Sequence, residues 1–156
     1  QSLNVACSDH TSGPLTCNLG VLHYDQNGLR AELDFRYPLL ANGQRIAETV
    51  QAALLPEVEA ITAMNKEPHH VAPNSALVTG LLNAYHKETG RPRECVATGG
   101  GTYARCLEEG VAFGAQFPEE DDVAHQADEY VSLDAMLLNV RILARAIVEL
   151  AGADGA

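Results

Sequence analysis

Positive charge is scarce in this chain. Ten Lys and Arg are scattered without a stripe or cluster against 21 Asp and Glu, for a formal net charge of −11 at pH 7. A nucleic-acid surface needs concentrated positive charge against phosphates, so no nucleic-acid partner is expected. Long apolar runs are missing as well. No stretch approaches the roughly 20 residues of a membrane span, so none is expected. The opening residues lack the basic start and apolar run of a secretory signal, and the expectation is a cytoplasmic protein. The chain opens on Gln1 rather than Met, which implies processing or a piece of something longer. Closely spaced cysteine pairs are absent too. Cys7, Cys17, Cys95 and Cys106 contain no C-x-x-C spacing. Four cysteines allow two disulfides, but a chain of 156 residues can fold on its core without them. Cys95 in an apolar run and Cys106 in a predicted helix read as buried free thiols, and a Cys7–Cys17 bridge is the weaker alternative. There is no internal repeat and no low-complexity tract. What remains is 46% hydrophobic and 20% charged residues, ordinary for a soluble globular protein of one domain or two small ones.

Residues 1–18 show no clear period. Residues 20–26 read as a short strand, and Asn27-Gly28 as the central pair of a hairpin turn, where both positions need positive φ. Residues 29–37 then alternate. Leu29, Ala31, Leu33, Phe35 and Tyr37 point one way; Arg30, Glu32, Asp34 and Arg36 point the other. This predicts a strand with one buried and one polar face, ended by Pro38. Asn42 caps a predicted helix with Ile46, Ala47, Val50, Ala53 and Leu54 on its apolar face, and Pro56 stops it. Residues 57–64 read as another strand, completing a small α+β unit.

The pattern changes after a connector at 66–74. Residues 75–89 predict a helix with Gly90 as its stop. A short apolar strand at 94–97 runs into Gly99-Gly100-Gly101 and a short helix to Glu109. The run 111–115 reads as a buried central strand, and 117–127 as an acidic loop. Ser132 caps a long last helix reaching Leu150. Its main stripe is Leu133, Met136, Leu137, Val140, Ala144 and Ile147, with Leu138 and Ile142 off it. A helix apolar on more than one face needs cover on two sides, which implies a missing partner layer.

Three features could carry chemistry. The first is Thr98-Gly99-Gly100-Gly101-Thr102-Tyr103, between a predicted strand and a predicted helix. Glycines let backbone approach a ligand closely, and amides at a helix start attract anions and carbonyl oxygens. No Lys follows in the phosphate-loop pattern, and a plain tight turn is the alternative. The second is His125 in an acidic loop, where neutral imidazole can bind a metal; a catalytic zinc needs about three protein ligands, and no other spacing supplies them. Alone, such a residue is more often a solvated loop histidine. The third is Arg36, whose guanidinium can hold a carboxylate through two parallel hydrogen bonds. On spacing alone, an ion pair with Asp34 or Glu32 is the default. The adjacent His69-His70 read as loop residues, and Cys95 and Cys106 as packing rather than nucleophiles.

Taken together, the segments LDFRYP (33–38), KEPHHVAPNSALVTGLLNAYHKETG (66–90), ATGGGTYARCLEEGVAFGAQFP (97–118) and HQADEY (125–130), with the final apolar helix, resemble zinc dipeptidases of the aminoacylase/acetylornithine-deacetylase superfamily. The similarity is nearest to the bacterial dipeptidase V, Xaa-His or carnosinase-like branch, and runs from about Gly20 to Leu150. It implies an α/β fold: the end of an α+β lid domain over residues 1–65, then the C-terminal strand–helix part of a zinc-peptidase-like α/β catalytic domain over 66–156. It implies that His125 is a zinc ligand, that Arg36 holds the substrate's free carboxylate, and that Gly99, Gly100, Gly101 and Thr102 contact the substrate backbone near the scissile bond.

The departures are equally informative. The family's early H-x-D zinc motif, bridging aspartate, paired glutamates and carbonyl-polarising lid histidine have no counterpart here and would lie upstream of Gln1. The implied chemistry is metal-assisted hydrolysis, in which a zinc-bound water activated by a glutamate attacks a dipeptide's carbonyl. Two zinc ions are implied for the complete enzyme, none stably held by this chain, and no catalytic residue is supplied by it. The expectation is therefore a portion of a metallopeptidase that is inactive alone. The alternative is a stand-alone binding or interaction module that kept the fold and lost catalysis. Self-association through the exposed final helix is a third expectation.

Overall fold

The computed structural model describes residues 3–114 and 116–152. The architecture is mixed α/β and divides into two compact units. One runs to His70 and includes Ala97–Gly101; the other comprises Val71–Val96 and the chain from Thr102.

The first unit opens with a minimal ladder, β1 (Ser8–Asp9) against β2 (Gly13–Pro14). Asp9 organises it. Its Oδ1 accepts the backbone N–H of Thr11 (2.9 Å) and Ser12 (2.6 Å) and the Ser12 hydroxyl (2.9 Å), while Oδ2 accepts Leu40 N–H (3.1 Å). These donors, the Ser12 amide foremost, favour the carboxylate and hold the Asp9 pKa down to about 2.

The main sheet is an antiparallel hairpin of β3 (Thr16–Asp25) and β4 (Gly28–Arg36). Its register shifts between Leu19 and Val21, which makes Gly20 a bulge. The bulge changes the parity of β3. Cys17, Leu19, Leu22 and Tyr24 thus lie opposite Phe35, Leu33, Ala31 and Leu29 on one apolar face. The turn differs from the one expected. Gln26 and Asn27 are its two central residues, and among the turn residues only Gly28 has positive φ (132°). Asp25 fixes this geometry by accepting Asn27 N–H at 2.7 Å and Asn27 Nδ2 at 3.2 Å, an Asx turn. The predicted buried face is covered only at its end: Leu29, Ala31 and Leu33 are exposed, as are Leu19, Leu22 and Tyr24 across the hairpin, while Phe35 and Tyr37 are half-buried. Alternation told which residues share a face, but the described residues of this unit leave most of it uncovered.

Helix α1 (Gly43–Ala53) follows the sequence signal. Asn42 Oδ1 accepts Arg45 N–H at 2.8 Å, a conventional N-cap. The second unit holds α2 (Ala76–Thr89) and α3 (Leu133–Ala151) packed on each other. Ser75 caps α2 by accepting Val78 N–H, and Ser132 caps α3 by accepting Ala135 N–H. Gly90 ends α2 in the left-handed conformation (φ 70°), its N–H on His86 O.

The sequence expects an apolar α3 that this chain covers only in part, and the structure agrees. Ala135, Ile142 and Ala146 are buried, and the core cluster is Phe117, Ala135 and Ile142 with Tyr85, Phe113 and Leu138 against it. The stripe residues Leu133, Met136, Leu137, Val140 and Ile147 are exposed. Charged side chains of α3 pair with α2. Glu88 of α2, its side chain only 8% exposed, accepts Arg141 Nε (3.1 Å) and Nη2 (2.8 Å) and pairs with Arg145 Nε, while Lys87 Nζ donates to Glu149 at 2.6 Å. Both arginines depress the Glu88 pKa, Arg145 most.

The strands expected at 57–64, 94–97 and 111–115 do not form over the described residues, and Ala115 lies outside them. A strand exists only through a ladder, and no described residue offers these segments a partner. The helix expected before Glu109 is a single 3₁₀ turn, Tyr103–Cys106. The cysteines correct the sequence reading too: all four are free and exposed.

Candidate functional site

Arg36 is the last residue of β4, on the polar face with Asp34, Glu32 and Arg30. Residues two apart on a strand share a face, so Arg30 pairs with Glu32 (2.7 Å) and Arg36 with Asp34. Arg36 Nε and Nη2 donate to Asp34 Oδ2 at 3.2 and 3.0 Å. Nη1 donates to the carbonyl oxygen of Gly99 at 2.8 Å, across 63 residues of sequence. The fold thus brings together the candidate arginine and the start of the glycine loop, while the ion pair with Asp34 also forms. The two sequence readings of Arg36 are compatible.

Alternation predicts Tyr37 on the apolar face of the strand, but β4 ends at Arg36. The Tyr37 hydroxyl donates to Asn65 Oδ1 (2.8 Å) and contacts Lys66 O (3.1 Å), tying the strand end to the connector. Gly43 makes room for this: a Cβ there would lie 2.4 Å from Asn65 Oδ1 and 2.6 Å from Tyr37 Oη. The only sequence signal was a polar tip on an otherwise apolar side chain.

The glycine loop is open. A Cβ on Gly99 would meet nothing within 4 Å, and one on Gly100 would meet only Thr98 Oγ1 at 3.8 Å and Arg36 Nη1 at 3.9 Å. Neither glycine has positive φ. The tight-turn explanation therefore does not account for glycine at these two positions. Gly101 closes the stretch that groups with the first unit, and Thr102, in the second, precedes the 3₁₀ turn without a side-chain cap. The anion-attracting helix start argued from sequence is not built, because four residues of 3₁₀ helix make no extended dipole.

His125 lies in a tight exposed loop. Its backbone is left-handed (φ 63°), as is that of Asp128 (φ 63°). Glu129 Oε2 accepts His125 N–H at 3.1 Å, Gln126 Nε2 donates to Asp122 O at 2.7 Å, and Asp122 Oδ1 accepts Ala124 N–H at 3.3 Å. Among the described residues no three His, Cys, Asp or Glu side chains are grouped to hold a metal ion. A single imidazole is one of the roughly three protein ligands that a catalytic zinc takes. No helix among the described residues is long and apolar enough to cross a membrane.

Residues 8–149 match the model of peptidase family M20/M25/M40. The chain is 40% identical over 152 residues to "Putative dipeptidase YtjP" of Bacillus subtilis (strain 168), covering 97% of this chain and 32% of that protein. It is 34% identical over 151 residues to "Beta-Ala-Xaa dipeptidase" of Lactobacillus delbrueckii subsp. lactis, covering 96% and 32%. The chain spans about a third of the length of the curated relatives it matches.

Proposed function

We propose, from the premise that this chain belongs to peptidase family M20/M25/M40, that it is the C-terminal third of a dipeptidase. Residues 1–65 form the end of a lid domain, and 66–156 the returning part of the catalytic domain. The complete protein cleaves the peptide bond of dipeptides or small peptides. This chain contributes Arg36 to hold the substrate's terminal carboxylate, Gly99 to Thr102 to face the substrate backbone, and His125 as one ligand of a two-zinc centre. The general base and the other metal ligands belong to the rest of the protein, so the chain is inactive alone.

One observation carries the reading: the 2.8 Å hydrogen bond from Arg36 Nη1 to Gly99 O. A guanidinium that can take a carboxylate stands beside a loop where side chains would fit at Gly99 and Gly100, next to a strand end anchored by Tyr37. Preorganised donors on a fixed element are what substrate positioning needs.

The test compares the complete reading frame with the 156-residue chain, each purified and assayed for zinc and for dipeptide hydrolysis. Zinc and turnover in the complete protein, both lost or sharply reduced in its His125→Ala variant, are expected. Absence of turnover in the complete protein would replace this reading with a non-catalytic binding module. Stoichiometric zinc in the 156-residue chain would show that its ligands had been misassigned.

A further inference from the structure

We propose that Asp34 is a positioning residue for substrate, a role that rests on Arg36 being the carboxylate clamp. A guanidinium has five N–H donors: one on Nε and two on each Nη. Asp34 Oδ2 takes one from Nε (3.2 Å) and one from Nη2 (3.0 Å), and Gly99 O takes one from Nη1 (2.8 Å). The remainder is one N–H on Nη1 and one on Nη2. One N–H on each terminal nitrogen is thus left to donate to an incoming carboxylate. Asp34 and Gly99 together leave the fork with the donors a substrate terminus needs.

Asp34 is suited to this because its backbone is held. In β4 it pairs with Asn18, and Arg36 pairs with Thr16. Arg36 itself ends the strand with its side chain 49% exposed. Without a partner, an arginine there would sample many rotamers, and binding would have to restrict them. Asp34 also carries a charge of the same sign as the substrate carboxylate, so its removal has two opposed effects. Orientation by Asp34 lowers KM, whereas repulsion from Asp34 raises it. Asp34 occupies Nε and Nη2 in an exposed, high-dielectric setting, so repulsion is weak and orientation dominates.

The experiment uses the complete reading frame and two substrates, a dipeptide and the same dipeptide with an amidated C-terminus. Loss of this exposed anchor predicts that Asp34→Ala raises KM for the free acid roughly two- to fivefold, with kcat little changed. KM for the amide stays where it was. Asp34→Asn, which keeps an acceptor oxygen, gives a smaller rise, and Asp34→Glu recovers part of the loss. A merely structural role would raise KM equally for acid and amide, and that result overturns the proposal. An unchanged or lowered KM for the acid in Asp34→Ala overturns it too, provided Arg36→Ala abolishes the acid-over-amide preference. If Arg36→Ala leaves that preference intact, Arg36 is not the clamp, and both readings fall.

Discussion

The rotation of α3 can be tested by comparing two isoleucines five residues apart. Ile142 is 1% exposed, inside the cluster with Phe117 and Ala135; Ile147 is 67% exposed on the outer stripe. Truncating a fully buried isoleucine to alanine loses its transfer free energy and leaves a cavity, together about 2–5 kcal/mol. At Ile147 about a third of the side chain is covered, so the transfer loss is roughly 0.5–1 kcal/mol. Alanine's better helix propensity returns about 0.4 kcal/mol of this. The expected costs are therefore about 3 kcal/mol for Ile142→Ala and a few tenths for Ile147→Ala. Urea unfolding followed by circular dichroism reads the difference. With a slope of about 1–2 kcal/mol/M, Ile142→Ala lowers the midpoint by roughly 1.5–3 M, whereas Ile147→Ala barely moves it. Ile142→Val, expected to cost about 1 kcal/mol, keeps the comparison readable if the alanine variant does not fold. An Ile147→Ala cost in this chain equal to or above that of Ile142→Ala would refute the assigned rotation and return the core to the outer stripe.

Two further outcomes follow from the site and from the first ladder. Gly100→Ala places a methyl in open space 3.9 Å from Arg36 Nη1. Stability should change by less than about 0.5 kcal/mol, while KM for dipeptides in the complete protein rises; a stability loss with unchanged KM would mean that the glycine serves the fold. Asp9 should titrate near pH 2, read by NMR from the amides of Ser12 and Leu40. Its folded pKa lies below the unfolded value of about 4, so its stabilisation is complete above about pH 4 and is lost as pH falls toward 2. Asp9→Asn should flatten stability across that window, and a midpoint near 4 would show that the four hydrogen bonds do not form.

The candidate site was legible in part. Arg36, Gly99 and His125 stood out because a terminal guanidinium, consecutive glycines and a histidine among carboxylates are distinct chemical types. That Arg36 and Gly99 meet was not legible, since nothing local links residues 63 apart. Tyr37 was missed because a tyrosine at an alternating position reads as apolar, and only the packed neighbour Asn65 reveals what its hydroxyl does.

What the sequence determined alone is what is decided within a turn or two. Asn42, Ser75 and Ser132 start helices because each side-chain oxygen reaches an N–H three residues ahead. Gly90 ends one because glycine accepts positive φ without strain. Tertiary structure decided the rest. The bulge at Gly20 made one apolar face from two strands of opposite parity. Glu88 pairs with Arg141 and Arg145, 53 and 57 residues away in sequence. Strand segments without ladder partners stayed irregular however apolar they were. Local hydrogen bonds act through neighbours along the chain, whereas ladders, ion pairs and buried faces depend on partners that only the folded chain brings near.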